Sequence, residues 1–208
     1  MRYVSLDLET SGPDPLRHPV LELAAVVEDT RRLRPLTELP SFRRLLRHPE
    51  LVGTAGALAL NARLLAELAA AGEKGAPTPP DHCTAAEVLP QLRAFLLAEG
   101  FKADAKDRVR FILAGKNVAS YDLLFLRQLP GWGALVRSEP ATLDPAAFYL
   151  NWHKDSRLPS LSICKARAQL ADTAVAHEAL ADALDVVRLL RPFYQFPVYQ
   201  QVRAAEGG

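Results

Sequence analysis

The 208-residue chain has 49% hydrophobic and 24% charged residues and a formal net charge of +1. That balance suits a soluble globular domain with a sizeable core, and no run approaches the roughly 18 apolar residues of a membrane helix. The near-neutral charge argues against a protein that grips long duplex DNA by its phosphates. Two distant cysteines, Cys83 and Cys164, make neither a disulfide framework nor a zinc site, and His82 beside Cys83 is an isolated pair. Met1-Arg2-Tyr3 leads directly into a strand pattern without a signal peptide, so a cytoplasmic location is expected.

Residues 2–8 alternate as a strand, and "HPVLELAAVVED" (18–29) reads as a central one. "PSFRRLLRH" (40–48) is a third, and the short connections predict a meander. An Ala/Leu-rich stretch with helical spacing runs from Thr54 to Ala71, followed by the loop "GEKGAPTPP" (72–80). Thr84 caps a second helix reaching about Glu99. "RVRFILAG" (108–115) is a strand, "VASYDLLFLRQL" (118–129) is helical, and "ATLD" is a short strand. Helices are expected over 159–170 and from Ala174 to about Tyr194. Three strands followed by alternating strands and helices predict an α/β domain with a mixed sheet. The expected boundaries are a domain over 1–196 and a tail over 197–208, with the terminal Gly-Gly disordered.

Asp7 and Glu9 are two apart on a strand and project from one face. Like charges so close raise each other's pKa unless something positive lies between them, and a divalent cation is the usual resolution. On those two residues alone, a solvated strand tip is the commoner outcome. Two further acids change the balance. On helical spacing Asp122 shares an arc with Leu126 and Leu129, and Asp182 with Val186, Leu189 and Phe193. A buried, unpaired carboxylate is expensive, so two on different helices, together with the strand pair, point to one shared metal cluster. His177, five residues before Asp182, lies about 140° from it on a continuous helix. It reaches the same site only from the first turn or the preceding loop.

Asp7-x-Glu9, Asp122 after "GKN", and His177-x4-Asp182 resemble the DEDDh 3′–5′ exonucleases, a group that includes oligoribonuclease, ribonuclease T and proofreading exonucleases. "DLETSG", "GKNVASYDLLFL" and "HEALADALDVVRLL" resemble that family's three motifs over residues 2–194, and "VLELAAVVED" the strand after the first. Lys116 stands where the second motif often has His, and the Asn117-to-Asp122 spacing is closer to oligoribonuclease. "ALALNARLLAEL" (57–68) resembles a motif of some phage and bacterial members. The resemblance implies a ribonuclease H-like fold, a five-stranded mixed sheet flanked by helices.

It also implies two Mg²⁺ or Mn²⁺ ions held by Asp7, Glu9, Asp122 and Asp182, oxygen ligands that suit hard cations. His177 would then be the general base, because imidazole exchanges a proton near neutral pH. Thr10, Ser11 and Gly12 are candidates to hold a terminal 3′-OH. Leu58, Leu60 and Asn61 are candidates to wedge against terminal bases, with plain core packing the alternative for both leucines. Asn117 orders its turn or contacts substrate; Lys116 and Lys165 are phosphate contacts or solvated surface. The expected activity is metal-dependent 3′–5′ hydrolysis of single-stranded DNA or RNA, or of short oligonucleotides, releasing nucleoside 5′-monophosphates. The alternatives are an oligoribonuclease restricted to very short substrates and a catalytically idle nucleic-acid-binding scaffold. No membrane association is expected, and the aromatic segment 193–202 is a candidate homodimer interface.

Overall fold

The structure, a computed structural model, describes residues 1–71, 78–174 and 177–195. The tail expected over 197–208, and all but residues 193–195 of the candidate dimer segment, lie outside the described residues.

Six strands form one mixed sheet: β1 (Arg2–Thr10), β2 (Val20–Asp29), β3 (Ser41–Arg47), β4 (His82–Thr84), β5 (Val109–Ala114) and β6 (Val136–Leu143). Their spatial order is β4-β3-β2-β1-β5-β6. The first three form the expected antiparallel meander, while β4 pairs with β3, β5 with β1, and β6 with β5, all in parallel. The sheet therefore has six strands rather than the five expected. The additional one, β4, is three residues long, too short to display alternation, and it follows a proline-rich stretch of sequence.

Alternation along β1 assigns the two faces. Val4, Leu6 and Leu8 join Leu23, Ala25 and Val27 of β2 in the core under α3 (Ala85–Ala98) and α4 (Asp122–Leu126). Tyr3 joins Val26, Ala183, Val186, Val187 and Leu190 in a second core against the last helix, α6 (Ala179–Gln195). On this second face Ser5 donates to the Ala183 carbonyl at 2.7 Å, which leaves Asp7 and Glu9 next along the strand, toward the start of α6. A bulge between Glu9 and Thr10 breaks the strict alternation, a common device beside functional sites.

The helices differ from their sequence patterns at the ends. The expected 54–71 helix is two, α1 (Ala55–Leu60) and α2 (Ala62–Ala71), broken at Asn61. Thr84 does begin α3, with Glu87 accepting its N–H at 2.8 Å and its hydroxyl at 2.9 Å. Of the 118–129 pattern only Asp122–Leu126 is α-helical, so Asp122 opens α4 instead of lying mid-helix. α5 runs Leu161–Arg167, and α6 starts at Ala179 rather than Ala174. The apolar spacing in these segments reports burial, and buried turns carry it as well as helices do.

Candidate active site

β5 stops pairing with β1 at Ser5–Ala114, so the end of β1 loses its neighbour on that side. The chain then turns through Lys116 and Asn117 into α4. Asn117 adopts φ 57°, a left-handed conformation that asparagine tolerates better than most residues. Its carbonyl accepts from the N–H groups of Ser120 and Tyr121, each at 3.0 Å, and its own N–H donates to Asp144 at 2.8 Å. Asn117 thus orders the turn that delivers Asp122. There the Asp122 carboxylate accepts the Leu8 N–H at 3.1 Å, taking the place of the missing strand partner.

From the other side, the N-terminus of α6 meets the same strand end. Asp182 lies in its first turn, where the helix dipole favours a negative charge. His177 sits two residues before the helix, exposed and with φ 51°, in the preceding loop as its offset from Asp182 requires. Ligand atoms of Glu9, His177 and Asp182 lie within 4.8 Å of one another. Asp7, Glu9, Asp122, His177 and Asp182 all line one cavity of about 420 Å³.

The acids in this cavity repel. Burial first, then Asp122, Asp182, Glu9 and Glu22, push Asp7 well above the usual carboxylate range. Burial, then Asp182 and Glu22, raise Glu9 to about 7 against a hydrogen bond from Asn61. Burial raises Asp122 to about 7 against backbone N–H donors. Four convergent carboxylates and an imidazole are a donor set that fits hard divalent cations.

The expected substrate residues separate. Thr10, Gly12, Leu60, Asn61 and Asn117 line the cavity, whereas Ser11 and Leu58 do not. Ser11 is fully buried; its hydroxyl donates to the Val52 carbonyl at 2.6 Å and its own carbonyl accepts from Thr54 at 2.9 Å, tying the end of β1 to the start of α1. Leu58 packs over Gly53, because residues two apart on a helix point about 200° apart and only Leu60 can face the cavity. Gly12 is required by the His18 ring, whose Nδ1 a Cβ there would meet at 2.6 Å. Asn61 donates to the Thr10 and Ala57 carbonyls at 3.3 and 3.1 Å, and among the described residues its buried Oδ1 has no partner.

Three residues carry more of the site than their patterns suggested. Glu22 faces Glu9 across the β1–β2 register, buried, paired with Arg43 and accepting the first amide of α6, that of Ala179, at 3.2 Å. Its signal was an acid inside an otherwise apolar run. Tyr121, next to Asp122, places its hydroxyl 2.8 Å from that of Thr10 and bridges the cavity's two walls. Lys165 is neither solvated nor a phosphate contact. It is 2% exposed and paired with Asp185 at 2.5 Å, and it donates to the Ala174 carbonyl at 2.5 Å, in the segment that leads to His177. Lys165→Met leaves Asp185 buried with, among the described residues, only Arg188 as a partner. It is expected to cost about 3–5 kcal/mol, read as a fall of roughly 6–20 °C in Tm. An unchanged Tm would show the pair to be dispensable.

No protein-family model matches the sequence, and comparison with curated proteins finds no match. Among solved structures, the chain is similar to a full-length 3′-exonuclease, with a TM-score of 0.63 at 14% identity. The similarity covers 93% of this chain and 60% of that protein, so the chain spans about three-fifths of that protein's length. At this identity the likeness is one of fold: an α/β architecture with a mixed sheet flanked by helices.

Proposed function

We propose that the protein is a metal-dependent 3′–5′ exonuclease of the DEDDh type on a ribonuclease H-like fold, hydrolysing single-stranded nucleic acid to nucleoside 5′-monophosphates. One observation carries the reading: Asp7, Glu9, Asp122, Asp182 and His177 converge from three separate segments on a single cavity. The fold likeness to a 3′-exonuclease agrees with it.

Asp7, Glu9, Asp122 and Asp182 would hold two Mg²⁺ or Mn²⁺ ions. When bound, these ions neutralise the phosphate's charge and acidify water, the usual contribution of such a pair. The chain's own residues do the rest. His177, at the cavity rim, takes the proton of the attacking water, and the departing 3′ oxygen of the upstream nucleotide regains one from solvent. Thr10 and the Gly12 backbone line the wall where a terminal 3′-OH would sit. Asn61 Oδ1, without a partner among the described residues, is suited to accept a hydrogen bond from that hydroxyl. Leu60, 53% exposed at the cavity edge, offers an apolar surface for the terminal base.

The test is hydrolysis of end-labelled DNA and RNA strands of graded length, with Mg²⁺ or Mn²⁺ and with chelator. Mononucleotides leaving the 3′ end, only with metal, are expected. Internal cutting or indifference to chelator would refute the reading. Turnover confined to the shortest strands would make the protein an oligoribonuclease, and binding without turnover would make it a scaffold.

A further inference from the structure

The acid cavity adjoins a second hollow of about 700 Å³, and the two share Lys116 and Asn117 as a common wall. The far side of this hollow is the 151–160 loop and the start of α5, with Lys154, Arg157, Ser160 and Ile163 lining it. Its charges do not balance. Its one carboxylate among the described residues, Asp155, is occupied by Arg167, which reaches it from outside the hollow, and by the Asn151 N–H at 2.8 Å. Lys154 and Arg157 are exposed and, among the described residues, have no ion-pair partner. On the same loop Trp152 stands 83% exposed, although a solvated indole contributes nothing to the core.

Cations without an ion-pair partner among the described residues, and an exposed flat aromatic ring on the same loop, are the two parts of a single-strand binding track. The cations follow the phosphates, and the ring stacks on a base of any identity. Lys116, half-buried and paired with Asp144 at 3.8 Å, lines both hollows and so joins that track to the acid cavity. We propose that the hollow holds the 5′-ward stretch of a single strand whose 3′ end occupies the acid cavity. The substrate class is then single strands several nucleotides long, rather than dinucleotides. The polarity of the strand rests on the proposed exonuclease reading; binding in the hollow does not require hydrolysis.

The test separates the two. Tryptophan fluorescence of the Asp7→Asn protein is titrated with a dinucleotide and with a single strand of about twelve nucleotides, within the usual span of such sites. Trp132, the other tryptophan, packs edge-on against Phe111, so a change reports Trp152. Quenching by the longer strand and not by the dinucleotide is expected. In the Lys154→Glu/Arg157→Glu variant the longer strand should bind more weakly. The slope of log affinity against log salt should become shallower by about 1.4, the loss of two phosphate contacts. Trp152→Ala, followed by anisotropy of a labelled strand, should weaken binding roughly ten-fold. Equal affinity for the two lengths, or a charge-reversed variant that binds like the parent, would overturn the proposal. If the wild-type protein hydrolyses nothing while quenching and salt slope behave as expected, the binding track stands and the exonuclease reading falls. If strands are degraded but the groove variants degrade long ones normally, the track alone falls.

Discussion

Asp7→Asn is expected to abolish hydrolysis and, at the same time, to make the metal-free protein more stable. Asp7 lies at the centre of the repulsion, with Asp122, Asp182, Glu9 and Glu22 all acting on it. Removing one member of a group that acts as a unit costs on the order of 10⁴-fold or more in kcat. The stability effect has a definite sign. Glu9 and Asp122 are raised to about 7 from ordinary values near 4, and Asp7 is raised as well. The folded protein thus retains protons that the unfolded chain has released, and stability falls as pH rises from about 4 through about 7. Above that window Glu9 and Asp122 carry their charges in the folded state, beside Asp7. An uncharged isostere at position 7 relieves part of the repulsion, by on the order of 1–3 kcal/mol at pH 8. Thermal unfolding in chelator across this pH range measures the effect. A less stable Asp7→Asn protein at pH 8, or retained metal-dependent turnover, would remove Asp7 from the centre of the site.

His177→Ala is expected to lower kcat by about 10²–10⁴-fold, the usual contribution of a positioned general base. The rise in Tm produced by Mn²⁺ should survive, because four carboxylates remain. The second measurement matters because His177, Glu9 and Asp182 are close enough to share an ion. If the ion-induced rise disappears together with kcat, His177 is a ligand and not the base. If neither changes, it has no part in the chemistry.

The acids were legible because each obeys a local rule: Asp7 and Glu9 share a strand face, and Asp182 interrupts an apolar helix face. His177 was legible as a loop residue because 140° cannot be bridged on a helix. Asp122 is buried for a different reason than its helical spacing implies. No helix face carries it inward, since α4 begins at that residue; the open end of β1 does. Glu22 and Lys165 were hidden because their partners, Arg43 and Asp185, come from other elements, and pairing across a fold leaves no local period. Ser11 shows the converse: its place in "TSG" suggested a ligand contact, and only the Val52 carbonyl 41 residues away reveals its work as a tie between segments. The sixth strand, β4, leaves no signal in the sequence because three residues carry too little pattern.

β5 breaks off beside Ser5, and the Leu8 amide is received by a side chain instead of a strand. The sheet is unzipped at its middle, with the tear held open by Asp122. Two more residues of β5 in register would close the seam, satisfy Leu8 through backbone alone and push Asp122 out of reach of Asp7. The site thus depends on a length as much as on five side chains: the chemistry occupies a gap that an unbroken sheet would have filled.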